Sequence, residues 1–138
     1  MNLQIKEFES KYYDEMNILW QLTDMGGAYR GDNLEIIHNS IKMGGALYLL
    51  FDNEIMIGTS WITNDGRRLY LHHFCIHPDY QGKGLSKLLM DKSMEFARKV
   101  GLQIKLEVHR ENIVARNLYD KYAFKYLGDY DIFIVREY

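Results

Sequence analysis

A chain of 138 residues, 47% of them apolar and 26% charged, has the length of one domain and the make-up of an ordinary globular protein. A formal net charge of −2 argues against a general nucleic-acid binder, and no apolar run approaches the ~18 residues of a membrane span. The lone cysteine, Cys75, excludes an intramolecular disulfide and any Cys-x-x-Cys metal or redox site. With no apolar core of a signal peptide after Met1, the cytoplasm is the expected compartment.

In chain order, Leu3, Ile5 and Phe8 alternate with polar residues as a half-buried strand. Residues 10–22 switch to helical spacing, with Tyr12, Met16, Leu19 and Trp20 on one stripe and Ser10 as the expected cap. Residues 23–31 hold three glycines and read as a loop, and Asn33 caps a short helix carrying Leu34, Ile37 and Ile41. Residues 46–52 and 54–62 are apolar runs around an Asp52-Asn53 turn, and a further strand covers 69–76. A third helix, amphipathic, runs from Leu85 to Val100 and stops at Gly101. Ile104, Leu106 and Val108 alternate as a strand, and Asn112 opens a helix with Ala115, Leu118 and Tyr122 on one face. Residues 124–127 and 131–136 are expected to close the chain as a strand pair. The order β-α-α-β-β-β-α-β-α-β-β predicts a single α/β domain over 1–138, with one main mixed sheet.

The most informative segment joins the strand 69–76 to the helix at Leu85: His77-Pro78-Asp79-Tyr80-Gln81-Gly82-Lys83-Gly84-Leu85-Ser86. Two glycines ahead of a helix start let successive N–H groups converge on an anion, where the helix dipole adds to the attraction. The Walker A spacing fails, because Lys83 is followed by Gly84. The dinucleotide fingerprint fails too, since Lys87 stands where a third Gly or Ala is needed. A coenzyme A pyrophosphate loop is the remaining reading.

The segment from Phe74 to Ser86 resembles motif A of the GCN5-related N-acetyltransferases, Gln/Arg-x-x-Gly-x-Gly/Ala, with Gln81, Gly84 and Leu85 matching and Ser86 departing from the usual Gly or Ala. Glu107 to Asn112, followed by Ala115, Leu118-Tyr119 and Phe124, resembles motif B of that family, with Ala123 in place of its usual glycine. The resemblance covers essentially the whole chain. It implies a mostly antiparallel central sheet of six to seven strands flanked by about four helices. It also implies acetyl-CoA as cosubstrate, no metal, and direct transfer to an amine.

On this resemblance, Phe74, Cys75 and Ile76 lie along the pantetheine arm and bind it through the main chain, as in strand augmentation. Gln81, Gly82, Lys83, Gly84, Leu85 and Ser86 cradle the pyrophosphate, and Lys87 adds charge nearby. Asn112 is the motif B asparagine that contacts the coenzyme, and by residue type it is equally an N-cap. Tyr119 is the candidate acid that protonates the departing thiolate. Glu107, like the glutamate of the ribosomal-protein N-terminal acetyltransferases in this family, and His72 are the two candidate general bases, a water chain being the third option. His72 and His73 are adjacent on a strand and are expected on opposite faces, with His73 as a packing residue. Each candidate also has a purely structural role open to it: strand packing, a tight turn, or one more of eleven tyrosines.

In the family, the acceptor pocket is built by the loop between the first two helices. Here Met25, Tyr29, Arg30 and Asp32 are candidates, Arg30 for a carboxylate and Asp32 for an ammonium. The leading expectation is therefore an acetyl-CoA-dependent N-acetyltransferase. A non-catalytic acyl-CoA-binding module and an ATP-binding protein are the alternatives. The apolar run Ile132 to Val135 makes a homodimer one of the expected states.

Overall fold

Alternation along one strand sets the layers. In Ile55–Asn64 (β3), the hydroxyl of Thr59 accepts a hydrogen bond from the Trp20 indole at 2.9 Å, whereas its neighbour Ser60 meets the Ser93 hydroxyl at 2.6 Å. Successive strand side chains point to opposite faces, so the helix with Trp20 and the helix with Ser93 cover opposite sides of β3. The structure, a computed structural model, describes residues 1–26 and 30–138, which gather into two units, Met1–Leu106 and Glu107–Tyr138.

In the first unit, Leu3–Glu7 (β1), Ala46–Asp52 (β2), β3, Arg68–Ile76 (β4) and Gln103–Leu106 (β5) form one sheet in the order β1-β2-β3-β4-β5. The first four pair antiparallel, and β4 pairs parallel to β5. A parallel neighbour needs a long crossover, and Ser86–Val100 (α3) supplies it. Tyr13–Leu22 (α1) and Leu34–Lys42 (α2) pack on the other face. β2 and β3 are central and covered on both sides, which is why they read as nearly unbroken apolar runs instead of alternating ones. The core under α1 and α2 gathers Met16, Leu19, Trp20, Ile37, Leu47, Leu49, Phe51 and Trp61.

Asn33 caps α2 as expected, its Oδ1 accepting from the Ile36 N–H at 2.9 Å. Ser10 does not cap α1. Residues Ser10–Tyr12 form a 3-10 turn ahead of the helix, and the Ser10 hydroxyl bonds the His38 ring at 2.8 Å. The strand expected over 104–108 ends at Leu106.

The second unit holds Ile113–Asp120 (α4), with Asn112 as its N-cap through a 3.2 Å bond from the Ala115 N–H. The closing strand pair expected over 124–127 and 131–136 is not formed, so the sheet has five strands among the described residues, not six or seven. The apolar run Ile132–Val135 lies exposed, with Phe133 at 92%. A continuous apolar run specifies burial but no pairing partner, and a strand exists only where a ladder closes.

Candidate active site

The glycine segment folds as a pinned loop. Pro78–Tyr80 makes a 3-10 turn whose N-cap is His77, with Nδ1 accepting from the Asp79 N–H at 3.0 Å. The Tyr80 hydroxyl donates to Asp52 Oδ2 at 3.1 Å, fastening the turn to the β2–β3 hairpin. The Gln81 side chain donates back to the Ile76 carbonyl at 2.9 Å. Gly82 and Gly84 then take φ of +77° and +75°, a left-handed conformation that other residues reach only with strain. The first backbone bonds beyond the loop run from Lys87 to Gly84 and from Leu88 to Leu85. The N–H groups of Gly82 through Ser86 thus precede the α3 ladder and are not consumed by it. Five such donors, the positive end of a 15-residue helix and the Lys83 ammonium suit a pyrophosphate.

Among the described residues, no strand pairs with the neighbouring edge beyond Leu71. The β4–β5 ladder covers only Arg68–Leu71 against Gln103–Leu106. Beyond Leu71, β4 continues to Ile76 along β3 alone, with Cys75 opposite Thr59 and Ile76 opposite Gly58. This stretch, which holds Phe74, Cys75 and Ile76, leads into the glycine loop. The Cys75 thiol is buried and burial pushes its pKa up, so it is a poor nucleophile.

A bulge interrupts β4 where the two histidines lie. Trp61 pairs with His72 and Thr59 with Cys75, so Ser60 alone faces both His73 and Phe74. His73 absorbs the extra residue with φ of +45°. The histidines therefore do not part to opposite faces as expected, because the inserted residue breaks strict alternation: both rings meet Trp61, at 5.9 Å for His72 and 5.3 Å for His73. His73 also lies 4.2 Å from the Trp20 ring. The Thr59 hydroxyl holds the bulge by donating to the His73 carbonyl at 2.6 Å. Burial lowers the pKa of His72, whose Nε2 bonds the Thr63 hydroxyl at 2.8 Å. Burial lowers that of His73 further, to about 4.

From the helix-connecting segment, Asp32 approaches the same place, with Oδ2 at 3.5 Å from His73 Nε2. Its carboxyl pKa is raised by burial, against the opposing effect of Arg30. Arg30 donates to the Asp24 carbonyl at 3.3 Å. Tyr29 lies outside the described residues. Sequence reasoning put His73 among packing residues and missed its pairing with Asp32. No residue pattern marks the bulge, since it exists only as a shift of register between β3 and β4.

In the second unit, Tyr119 is half-buried in α4, edge-on to Phe124 at 5.7 Å. Burial pushes its phenol up to about 12. Glu107 is exposed at the start of this unit, and Asn112 spends its side chain on the α4 cap. Ala123, in the family's glycine position, takes φ of +67°.

A cavity of about 530 Å³ opens elsewhere, between Glu7 and Phe8, the start of β2 and the second half of α3 from Lys92 to Val100. It contains none of the expected site residues. Among the described residues, no three His, Cys, Asp or Glu side chains gather as a metal-holding group, and no helix is long and apolar enough to cross a membrane.

A family model described as the acetyltransferase (GNAT) family matches residues 4–124. An acetyltransferase of Yersinia pestis (strain Pestoides F) is 21% identical over 125 residues, covering 89% of this chain and 88% of its own. A GNAT-family acetyltransferase structure from Staphylococcus aureus Mu50 superposes with a TM-score of 0.79 at 21% identity, covering 94% of this chain and 89% of that one. The ribosomal-protein-S18-alanine N-acetyltransferase of Escherichia coli gives 0.75 at 19% identity, over 89% and 77%. A GNAT-family acetyltransferase of Elizabethkingia anophelis, solved with acetyl-CoA bound, gives 0.65 at 19%, over 90% and 76%. At these identities the structural likeness establishes the fold.

Proposed function

Because the chain belongs to the GNAT acetyltransferase family, we propose that it transfers an acetyl group from acetyl-CoA directly to a primary amine in a ternary complex. The observation that carries this is the continuity of a β4 edge with a loop of five N–H groups, neither of which has a backbone partner among the described residues. Such an edge suits the amide-bearing pantetheine arm, and such a loop suits the pyrophosphate that follows it. Phe74, Cys75 and Ile76 take the arm, Gln81 through Ser86 the pyrophosphate, and Lys83 and Lys87 supply counter-charge. Asn112 acts on the coenzyme by holding the start of α4. The bound Elizabethkingia relative supports acetyl-CoA as donor.

In the transfer, the amine lone pair attacks the thioester carbonyl, the C–N bond forms and the C–S bond breaks. The departing thiolate takes a proton from Tyr119, whose phenol stays neutral across the physiological range. Glu107 removes the amine proton. His72 is the weaker candidate, because its Nε2 is engaged by Thr63 and burial reduces its basicity. The two units act as one domain over 1–138, working in the cytoplasm. The exposed run Ile132–Val135 is the surface through which a homodimer forms.

Thiol-release kinetics with acetyl-CoA across a panel of amines tests the reading. We expect Tyr119→Phe to lower kcat about 10–100-fold with coenzyme affinity retained. Glu107→Gln should lower kcat about 10–100-fold with coenzyme affinity retained, and His72→Gln should leave kcat near that of the wild type. Tight acetyl-CoA binding without turnover of any amine would instead leave a non-catalytic acyl-CoA-binding module.

A further inference from the structure

The cavity beside β1 has no part in the transfer reaction. It holds about 530 Å³, inside the range of about 300–1,000 Å³ that small-molecule sites occupy. Its walls come from the end of β1, the start of β2 and the second half of α3. Lys99 and Val100 stand about 20 Å along α3 from the glycine loop, and β3 separates β2 from β4 in the sheet. The cavity is therefore no extension of the coenzyme loop.

One residue in its wall does more than pack. Tyr48 is 5% exposed, and its hydroxyl has no hydrogen-bond partner among the described residues. A buried phenol ordinarily has its O–H satisfied, and the surface that this one keeps opens into the cavity. Phe96 packs edge-on to the Tyr48 ring at 6.2 Å, and the Lys92 ammonium covers the ring at 5.5 Å. The ring is thus held, and the hydroxyl is the end left for a ligand.

The charge beside that hydroxyl is acidic. Glu7 is the cross-strand partner of Tyr48 and has no cation within 4 Å among the described residues. Lys92 is held by Glu95 at 3.5 Å. Lys99 stands in the last turn of α3, where the carbonyl end of the helix dipole draws a cation. One carboxylate is left unmatched. Burial, followed by Glu7 and Glu95, pushes the Tyr48 pKa up, so the hydroxyl stays neutral and its oxygen can accept. Phe8 and Leu47 supply apolar wall beside these polar groups.

We propose that this cavity is a second small-molecule site, separate from acetyl transfer, for a primary amine carried on an apolar body. The three donors of one ammonium serve the Tyr48 oxygen and the Glu7 carboxylate, while the body lies against Phe8 and Phe96. A carboxylic acid of the same shape meets Glu7 as a like charge, and an alcohol leaves Glu7 unmatched. Both are refused.

Phenethylammonium is the probe, with hydrocinnamate and phenethyl alcohol as its anionic and neutral counterparts, each added to the whole chain without coenzyme. Gly45 and Ala46 line the cavity, and their amide 15N resonances report its occupancy. A saturable shift of both amides with phenethylammonium, at a Kd about tenfold or more below that of either counterpart, supports the site. That Kd should rise about tenfold in Glu7→Gln and about 3–10-fold in Tyr48→Phe. Both replacements are nearly isosteric, and unchanged amide positions elsewhere verify that the variants fold. No saturation at Gly45 and Ala46, or shifts found only around β4 and the segment before α2, overturns the proposal. Equal affinity for hydrocinnamate, or a Kd within twofold of wild type in both variants, overturns it as well.

Discussion

His73 shows how much one backbone position commits. A left-handed φ at a non-glycine residue inside a strand stores strain, here held by the Thr59 hydroxyl on its carbonyl and by two tryptophan rings. It also has a cost in acid. The folded-state pKa of His73, about 4, lies below the ordinary 6.5, so between those values the unfolded chain binds more protons. Stability is therefore full above pH 6.5 and is lost as pH falls through that window. The expected loss from His73 is about 2 kcal/mol between pH 7 and pH 5, and His72 adds in the same direction. Urea unfolding at the two pH values measures it, and His73→Asn should flatten the dependence. Ala123 is a second strained position, at φ of +67° where the related motif has glycine. Ala123→Gly should slow amide exchange at the end of α4, by relief of about 1 kcal/mol. Unchanged or faster exchange there would show that the turn is not under strain.

At the scale of elements, β3 and β4 govern the site, and close approach governs how they pack. A Cβ at Gly58 would come within 2.9 Å of the Cys75 carbonyl and of the Ile76 and Leu89 side chains. Backbone cannot yield as a side-chain tip does, so Gly58→Ala is expected to cost about 1–3 kcal/mol and to disturb the β4 edge. Chemical denaturation reads the first effect and acetyl-CoA calorimetry the second. Gly84→Ala differs in cause: open space surrounds the position, but φ of +75° strains an alanine by about 1 kcal/mol, and the distorted loop should also lose coenzyme affinity. The same elements show what was legible in the sequence. Amphipathic periodicity located α1 to α4, and the glycine loop was readable because glycine is the residue that its two left-handed positions require. Two features were not readable. The β4 bulge is a relation between two strands, so neither strand's residues announce it. The C-terminal run Ile132–Val135 is apolar enough for a strand, but pairing depends on a partner edge that the run itself does not encode. Hence the sequence led to His72 and passed over His73, and it counted strands that no ladder forms.

Across the whole chain, buried structure is unevenly distributed. Every buried side chain belongs to Met1–Leu106, and none of residues 107–138 is buried. A 32-residue segment without a core cannot hold itself folded, since ordering each residue costs about 1–2 kcal/mol of backbone entropy. α4 is therefore expected at the low end of local stability, and β2 and β3 at the high end. Hydrogen exchange on the free protein should show amides of Ile113–Asp120 exchanging through local opening and those of β3 only through global unfolding. If Asn112 serves the coenzyme, acetyl-CoA binds a state in which α4 is ordered, and its binding energy appears as protection there. At a free concentration 100 times Kd, linkage gives about 2.7 kcal/mol, close to a hundredfold slowing of exchange in α4. The glycine-loop amides of Gly82–Ser86 should slow alongside. Protection confined to that loop, with α4 unchanged, would remove Asn112 from coenzyme binding and leave the loop and the β4 edge to hold the donor alone.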